Sequence, residues 1–390
     1  MSESLSIAMV GTKGVPTTFG GIERHVEEIG ARLAERGHRV TVHCRRNYTE
    51  PSRELCEVVR RRRWRYRGMD LRLMPSVPTK HLDAITHTAL ASFAELLPRH
   101  DIVHYHALGP SVLAILPRLT RRRVVATCHG LDWQRAKWGW FARRALRLGE
   151  WTLCHWPHRT IAVSRTLRQH FREHHGREVT YIPNGIDLPP TPEPHEIVER
   201  WGLRHGEYFL FLSRLVPEKR CDVLIEAFRG LQTPRRLVIA GGSSMSDDHV
   251  EHLHSLARGD DRILFTGNVT GRLRDELMTH AHAFVLPSEL EGLPIVLLEA
   301  LSFGLCTLAS DIPVNREVLE ETEPGSEAWG RLFRCNDVES LRAELRWLEE
   351  HPEAVQALGA AARPRVARHF TWDRVADETE ALYREVAHGG

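Results

Sequence analysis

The sequence predicts an α/β protein built from two doubly wound, Rossmann-like domains with parallel sheets. Short apolar, β-branched runs alternate with amphipathic stretches along all 390 residues, as in parallel sheets that helices cover on both faces. The length suits two or three domains. A proline-rich stretch at 188–194 cannot continue a helix or a sheet ladder. We therefore expect domains at 1–188 and 195–371, facing a ligand cleft between them.

The predicted strands follow the apolar runs in chain order. Each run is short, rich in β-branched or aromatic residues, and bounded by polar or glycine-containing segments. In the first half the strands are 6–10, 39–44, 70–74, 102–106, 124–128, 160–163 and 180–182. In the second half they are 209–212, 237–240, 263–266, 283–287 and 306–309.

Helices are predicted where apolar residues recur every three or four positions between the strands. They cover 21–36, 82–97, 222–229, 250–257, 272–280 and 294–303. A last helical pattern at about 372–390 is a candidate to pack back on the first domain. Because open α/β sheets bind ligands beyond the carboxyl ends of their strands, we expect the site in the loops at those ends.

Charge is unevenly distributed although the net charge is only +2. Residues 1–190 hold 31 basic and 17 acidic side chains, whereas the remainder holds 22 and 34. The basic excess, interleaved with tryptophan and tyrosine, is concentrated at 60–67, 121–123 and 143–147. Such a surface is either simply solvated or attracted to an anionic membrane or a pyrophosphate-bearing lipid. Nucleic acid is not an expected partner, because no nucleic-acid-binding signature accompanies the charge.

Composition argues against several other classes. Three glutamates interrupt the most apolar stretch, 281–309, so a membrane-spanning helix is not expected. No basic segment precedes the first apolar run, so a secretory signal is not expected either. The seven scattered cysteines lack a C-x-x-C pair, which is typical of reduced thiols in a cytoplasmic protein. The same spacing argues against a disulfide framework or a structural zinc site.

Gly20 and Gly21 stand directly before a predicted helix. Residues without a Cβ at this point either let an anion approach the helix N-terminus or simply form a tight turn. The preceding segment has neither the Gly-x-Gly-x-x-Gly spacing nor a P-loop spacing, so a nicotinamide or P-loop site is not predicted.

Two histidine-containing strands in the first half supply further candidates. His104 is expected to be a hydrogen-bonded core histidine, whereas His106 ends the same strand. His129 follows a later apolar strand, where its side chain would face the ligand. Asp132 would either orient an acceptor or cap the helix that follows.

The loops after the first strands of the second half combine cations and glycines. Arg214 and Lys219 lie five residues apart and would together neutralise a pyrophosphate, with surface salt bridging as the alternative. The chain has only four lysines, and Lys219 is the sole lysine after residue 137. Gly242 and Val269 belong to two glycine-containing loops that would admit a base edge or a phosphate.

Two carboxylates eight residues apart, Glu291 and Glu299, form the most informative pattern. Glu291 lies in a strand-to-helix loop, Pro294 is expected as the first helical residue, and Glu299 falls on the second turn. A carboxylate in an apolar run needs a partner, and ribose or sugar hydroxyls suit an ionised carboxylate. An arginine is the alternative partner of Glu299. The N–H groups of Gly292 and Leu293 would receive a diphosphate or a sugar oxygen.

Glu-x7-Glu at 291 and 299, preceded by Arg214, Lys219 and Gly241-Gly242, resembles the retaining GT-B glycosyltransferases of family 4. Segments 11–21, 129–133 and 182–187 are similar to the bacterial branch that builds capsule, exopolysaccharide or O-antigen units, including rhamnosyl- and mannosyl-type transferases. The resemblance covers essentially the whole chain.

The resemblance implies a first domain that holds a saccharide acceptor and a second domain that holds a nucleotide-sugar donor. It implies hexosyl transfer with retention and without metal or other cofactor. The cysteines favour a cytoplasmic enzyme, and the arginine cluster at 60–67 leads to the hypothesis of a polyprenyl-diphosphate-linked saccharide acceptor at the inner face of the membrane. The implied catalytic residues are His129, Arg214, Lys219 and Glu291. The implied donor contacts are Gly20, Gly21, Arg214, Lys219, Gly242, Val269, Glu291, Gly292, Leu293 and Glu299, with Glu299 on the ribose. The candidate acceptor contacts are His106 and Asp132.

Two other functions stay open at this point. A nucleotide-sugar 2-epimerase has the same architecture and needs no acceptor. A non-enzymatic protein that binds anionic polymers would use the basic first half alone. The donor sugar, its base (UDP, GDP or dTDP) and the acceptor are also left open.

Overall fold

The structure, a computed structural model, describes residues 3–16, 20–49, 56–60, 63–79, 82–96, 100–135, 138–243, 247–320 and 328–389. Its contacts divide the chain into two compact units. The first comprises Met1–Gly185 and Trp372–Gly390, and the second comprises Ile186–Thr371. The division falls just before the proline-rich stretch 188–194.

The strands are numbered in chain order. They are β1 (Ser6–Val10), β2 (Arg39–Arg45), β3 (Glu57–Arg60), β4 (Arg63–Tyr66), β5 (Met69–Met74), β6 (Ile102–His106), β7 (Arg123–Cys128), β8 (Arg159–Ala162), β9 (Thr180–Tyr181), β10 (Tyr208–Leu212), β11 (Arg236–Ala240), β12 (Ile263–Gly267), β13 (Ala283–Leu286), β14 (Thr307–Ser310) and β15 (Arg331–Phe333).

The helices are numbered likewise. They are α1 (Gly21–Glu35), α2 (Asp83–Ala94), α3 (Leu108–Ser111), α4 (Ile115–Leu119), α5 (Trp140–His155), α6 (Arg165–His175), α7 (Glu196–Trp201), α8 (Cys221–Arg229), α9 (Asp247–Ala257), α10 (Gly271–His280), α11 (Ile295–Ser302), α12 (Pro313–Leu319), α13 (Val338–Glu350), α14 (Pro352–His369) and α15 (Trp372–His388). Two short 3₁₀ turns are Asp132–Gln134 and Pro217–Lys219.

The sheet of the first unit has the strand order β3-β4-β5-β2-β1-β6-β7-β8-β9. From β5 to β9 neighbouring strands are parallel, with Ile7, for example, level with Val40 and Ile102. The hairpin β3–β4 is antiparallel and extends one edge of this sheet. The prediction of a purely parallel sheet is therefore wrong at this edge, where β4 alternates arginine with Trp64 and Tyr66 inside the predicted basic cluster.

The final helix, α15, belongs to the first unit and packs against α1. Arg36 pairs with Glu380 at 3.0 Å, and Arg32 pairs with Asp373 at 2.7 Å. The buried Tyr383 hydroxyl contacts Nδ1 of His104, whose Nε2 lies 2.7 Å from Thr127 Oγ1. His104 is thus the hydrogen-bonded core histidine that the sequence predicts.

The sheet of the second unit has the order β12-β11-β10-β13-β14-β15, and all of its pairings are parallel. This agrees with the predicted doubly wound architecture. Its core is formed by buried side chains of β10, α8 and α13, including Phe209, Phe228 and Leu345. The alternating order of strands and helices places every strand-to-helix loop of β10 to β13 at the carboxyl edge of the sheet.

The predicted basic cluster at 60–67 falls only partly on described residues, because residues 61 and 62 lie outside them. Arg65 pairs with Asp70 at 3.0 Å, and Arg67 pairs with Glu28 on α1 at 3.0 Å. These two arginines therefore hold the edge hairpin to the rest of the first unit. Among the described residues, we find no helix whose length and apolar character would let it cross a bilayer.

Candidate active site

Four loops of the second unit meet at the carboxyl edge of its sheet, after β10, β11, β12 and β13. Backbone hydrogen bonds join them to one another. Leu215 N donates to Gly242 O at 3.0 Å, Gly241 N donates to Gly267 O at 2.8 Å, and Glu289 N donates to Glu218 O at 3.0 Å. The predicted donor residues of this unit, from Arg214 to Leu293, therefore share one continuous edge.

Gly241 is the point of closest approach between two of these loops. Its φ of +148° is a conformation that residues with side chains rarely adopt. A Cβ on Gly241 would lie 1.8 Å from Ser213 O, and one on Gly242 would lie 2.8 Å from the Asn268 side chain. A glycine at 241 is thus required by the packing of the loops, whereas a Cβ at 242 would need only the Asn268 side chain to shift.

Lys219 and Glu291 form an ion pair at this edge. Lys219 ends the 3₁₀ turn Pro217–Lys219, and its Nζ donates to Glu291 Oε1. The side chains are only 11% and 10% exposed, so this is not the surface salt bridge that the sequence left as the alternative. A partly buried ammonium and carboxylate each need a partner of opposite charge or a hydrogen-bonding ligand.

The neighbouring arginines hold this edge together. Arg214 lies in the loop after β10, where its carbonyl accepts from Val216 N at 3.0 Å. Arg220 has a positive φ of 48° and contacts Asp222, Glu289 and Asn336 across three loops. Arg220 is not among the residues predicted from the sequence, although its position directly after Lys219 is a signal. It supports the loop that carries Lys219.

Glu299 lies on the second turn of α11, as predicted, and its Oε2 is 2.5 Å from an Arg274 guanidinium nitrogen. The structure therefore contains the arginine partner that the sequence left as the alternative to a ribose. Pro294 is the residue before the helix, with φ −72° and ψ 108°, and not its first residue. Leu293 is buried and Gly292 is half-buried at the entrance to α11.

Neutral histidines line the carboxyl edge of the first unit. His106 at the end of β6 and His129 after β7 approach each other, with 3.2 Å between Nδ1 and Nε2. His25 on α1 packs edge-on against His129, with ring centroids 4.6 Å apart, and its Nδ1 lies 2.9 Å from Asn184 Oδ1. The sequence analysis did not identify His25 or Asn184, because α1 and residues 182–187 are far apart in the chain.

Burial sets the protonation of these rings. It lowers the pKa of His25 to about 4, against the smaller opposing effect of the Asn184 hydrogen bond. Burial, and then the neighbouring imidazoles, hold the pKa values of His106 and His129 well below the ordinary range. All three rings are therefore neutral near pH 7.

The remaining predicted residues of the first unit lie on two loops. Gly20 precedes α1 with φ +108°, and Glu23 on the first turn accepts from Lys13 N at 3.0 Å. The positive φ in the turn before α1 explains why residue 20 is a glycine. A phosphate contact at Gly20 stays a prediction. Asp132 begins the 3₁₀ turn Asp132–Gln134 and pairs with Arg135 at 3.1 Å. Its acceptor role likewise stays a prediction.

Comparison with known families covers both halves of the chain. Residues 19–189 match the model described as Glycosyltransferase Family 4, and residues 196–365 match the model described as Glycosyl transferases group 1. Each match lies almost wholly within one structural unit.

Similar proteins span nearly the whole chain. A GDP-mannose-dependent alpha-(1-6)-phosphatidylinositol monomannoside mannosyltransferase of Mycobacterium tuberculosis is 29% identical, covering 95% of this chain and 96% of that protein. Glycogen synthase of the same organism is 27% identical, covering 99% and 96%. These names are not those of capsule or O-antigen rhamnosyltransferases, so the narrower branch stays a prediction.

Solved structures show the same fold. Sucrose-phosphate synthase from Thermosynechococcus elongatus aligns with a TM-score of 0.83 at 19% identity, covering 99% of this chain and 100% of that one. The catalytic domain of Starch Synthase IV from Arabidopsis thaliana, bound to ADP and acarbose, aligns with a TM-score of 0.79 at 16% identity, covering 99% and 100%. The chain therefore carries a Glycosyltransferase Family 4 domain followed by a Glycosyl transferases group 1 domain, and it is a glycosyltransferase of the GT-B fold.

Proposed function

We propose that this glycosyltransferase moves a hexosyl group from a nucleotide-diphosphate sugar to a saccharide or lipid-linked saccharide, with retention and without a catalytic metal. The observation that carries the proposal is the buried Lys219–Glu291 pair at the carboxyl edge of the second unit, next to the entrance of α11. In this pair, an ammonium that could bind a diphosphate lies in direct contact with a carboxylate that could bind sugar hydroxyls.

The leaving group would be stabilised by Arg214, Lys219 and the backbone N–H groups of Gly292 and Leu293. The bond between the anomeric carbon and the diphosphate oxygen breaks, and a bond to the acceptor oxygen forms on the same face of the sugar. The acceptor proton passes to the departing phosphate oxygen. Donors already aimed at the charge that develops in this step supply the largest catalytic contribution.

Donor binding would exchange the ion pairs of the second unit for ligand contacts. Lys219 turns toward the diphosphate, and Glu291 then accepts hydrogen bonds from the sugar hydroxyls. Glu299 accepts from the ribose hydroxyls beside Arg274. Each carboxylate has one oxygen in its ion pair and a second that can accept from a hydroxyl group, so this edge suits a ligand that carries both phosphate and hydroxyl groups.

His129 would contact the transferred sugar in the first unit. A neutral imidazole both donates and accepts one hydrogen bond, as a sugar hydroxyl does, and places no cation beside a donor sugar. His106 is almost fully buried and 3.2 Å from His129. It is therefore better suited to hold His129 in position than to touch an acceptor itself.

We favour mannose carried by GDP as the donor, for a glycan of the cell surface. This choice is supported by the relative named as a GDP-mannose-dependent mannosyltransferase. A thermal-shift screen of nucleoside diphosphates tests it, since a ligand at 100 times its Kd stabilises a protein by about 2.7 kcal/mol. Stabilisation by UDP or dTDP, and not by GDP, would overturn the choice.

A transfer assay tests the reaction itself. We expect the product to retain the anomeric configuration of the donor by NMR, and kcat at saturating acceptor to be unchanged by a chelator. An inverted product, or a kcat at saturating acceptor that falls with a chelator, would contradict the proposal. An epimer formed from the donor alone, without acceptor, would instead identify a nucleotide-sugar 2-epimerase.

For a lipid-linked acceptor, we propose that an exposed face of α5 rests on an anionic membrane. Trp140 and Phe141 are 69% and 79% exposed, and Trp151 is 45% exposed. Arg143 and Arg144 lie on the same exposed part of the helix, with Arg144 stacked 4.5 Å from the Trp140 ring centroid. Aromatic rings with interleaved arginines suit the boundary between headgroups and acyl chains.

Co-sedimentation with vesicles tests this contact. We expect binding to vesicles that contain an anionic lipid and loss of most binding in the double variant Trp140→Ala, Phe141→Ala. The variant Leu119→Ala, which removes another exposed apolar residue outside α5, is the matched control. Equal binding of the double variant and the wild type would exclude α5 as the contact.

A further inference from the structure

A carboxylate and two imidazoles converge in the first unit, among residues that the proposed reaction does not use. Glu150 lies on α5, and His170 and His175 lie on α6. Oε1 of Glu150 is 2.7 Å from Nε2 of each histidine. One ligand atom from each of the three lies within 4.8 Å of the other two.

We propose that Glu150, His170 and His175 bind a Zn²⁺ ion or a chemically similar divalent transition metal. Two imidazole nitrogens and one carboxylate oxygen are a common zinc ligand set, with metal–ligand distances of about 2.0–2.2 Å. Tetrahedral ligands at that distance are about 3.3 Å apart, so the present 2.7 Å contacts widen by roughly half an ångström when an ion enters.

The charge and accessibility of the cluster favour an ion. Glu150 is buried, whereas the two imidazole side chains keep 17% and 15% of their surface exposed, which leaves a path for entry. The carboxylate offsets part of the metal charge. A water molecule would complete the coordination, as in other zinc sites with three protein ligands.

The other cluster of possible ligands, His25, His106 and His129, is less suited to a cation. It is almost fully buried, and its three ligands contribute no negative charge, so charge compensation there would depend on ionisation of a bound water. It also belongs to the candidate active site already described. The geometry and the charge therefore both point to Glu150, His170 and His175.

Trp133 connects the proposed metal site to the segment that follows His129. Its Nε1 donates to Glu150 Oε2 at 2.5 Å, while Oε1 faces the histidines. Arg147 lies 4.7 Å from the centroid of the Trp133 ring. A bound ion would fix the Glu150 carboxylate and, through it, Trp133 and the turn Asp132–Gln134. Because Asp132 is a candidate acceptor contact, we expect the ion to affect acceptor binding. That expectation rests on the proposed function, whereas metal binding itself does not.

A zinc titration of the full chain tests the site. Protein stripped of metal by a chelator is titrated with Zn²⁺ in competition with a chromophoric zinc indicator. We expect at least a hundredfold weaker binding in Glu150→Gln and in His170→Ala. Trp133→Phe, which removes only the hydrogen bond to the ligand carboxylate, should weaken binding 10- to 100-fold. His388→Ala, which removes an exposed histidine on α15 of the same unit, is the control and should bind as the wild type does.

Two results would overturn the proposal. One is equal zinc affinity in the wild type, Glu150→Gln and His170→Ala. The other is a loss of binding in His25→Ala but not in His170→Ala, which would place the ion at the other cluster. Cooperative thermal unfolding of each variant shows that it has folded, and Glu150→Gln preserves the side-chain volume.

A second readout tests the coupling without an activity assay. Amide hydrogen exchange of residues 130–135 should slow when Zn²⁺ is added to the wild type. It should not slow in His170→Ala. If zinc binds but the amide hydrogen exchange of residues 130–135 does not change, the metal site is supported and its link to Trp133 is rejected.

Discussion

The carboxyl edges of the two sheets carry different kinds of polar side chain, charged in one unit and neutral in the other. In the second unit the polar side chains are charged and paired, as in Lys219–Glu291 and Arg274–Glu299. In the first unit they are imidazoles that burial keeps neutral, with His25, His106 and His129 in mutual contact. Charged groups suit a charged ligand, whereas neutral rings suit hydroxyl groups. This contrast is the physical basis for assigning the diphosphate to the second unit.

Removing the ammonium should have the largest effect on the reaction. Lys219→Ala is expected to lower kcat a hundredfold or more, because loss of one donor to developing charge costs about 3–4 kcal/mol. Steady-state kinetics measure it. Arg229→Ala, which removes a cation at the end of α8 in the same unit, is the control and should keep normal turnover. Near-normal turnover of Lys219→Ala would contradict the assignment of the diphosphate to the charged residues of the second unit.

The buried neutral histidines of the first unit predict that the free energy of unfolding depends on pH. The pKa of His25 falls to about 4 on folding from an ordinary value of about 6.5, so the unfolded state binds more protons between these values. The contribution to stability is fully present above pH 6.5 and is lost as the pH falls toward 4. His25 alone should remove about 2 kcal/mol of unfolding free energy between pH 7 and pH 5.

Urea denaturation of His25→Gln at the two pH values measures this effect. The variant should lose less stability on acidification than the wild type, whatever its stability at pH 7. His252→Gln, at an exposed position in the second unit, should follow the wild type. Parallel pH profiles of His25→Gln and the wild type would show that the His25 ring is not kept neutral by folding.

The loops that carry the charged pairs should be sensitive to a single methyl group. Gly241→Ala combines a positive φ with a clash 1.8 Å from Ser213 O, and we expect it to cost at least about 2 kcal/mol. Gly259→Ala has a positive φ but no atom within 4 Å of the added Cβ, so about 1 kcal/mol is expected there. Denaturant midpoints compare them, and equal losses would show that the loops can separate freely.

The smallest effect concerns Glu299. Glu299→Gln should raise the donor KM about tenfold, or about 1.4 kcal/mol, with little change in kcat. Arg274→Gln is the matched variant, because it breaks the same ion pair but leaves the carboxylate available to a ribose. If both variants raised KM equally, the ion pair itself, and not a ribose contact, would be the function of Glu299.

The sequence predicts most strands of both sheets because buried strands have continuous apolar runs. The ranges 6–10 and 102–106 agree with β1 and β6. The antiparallel hairpin was missed although β4 alternates arginine with Trp64 and Tyr66, because so many arginines indicate a basic surface cluster and not a strand. Helices α5 and α6 were missed for a related reason: Leu167 and Phe171 are the buried side chains of α6, too few for a clear helical period.

The candidate site was only partly accessible to sequence reasoning. Residue types identified Lys219, Glu291 and Glu299, since each is unusual in its surroundings. The contact between Lys219 and Glu291 was not predictable, because it spans 72 positions and depends on the order of β10 and β13 in the sheet. The spacing of the cysteines could not reveal the proposed metal site, because its ligands are one glutamate and two histidines.

Helix α15 has a consequence for the order in which the protein matures. Its residues are synthesised after the entire second unit, yet they supply Tyr383 to His104 and several ion pairs to α1. At a translation rate of about 5–20 residues per second, the nascent first unit waits roughly 10–40 s for its last packing element. During that interval the surface of the first unit that α15 later covers stays exposed, and we expect chaperones on the ribosome to bind it.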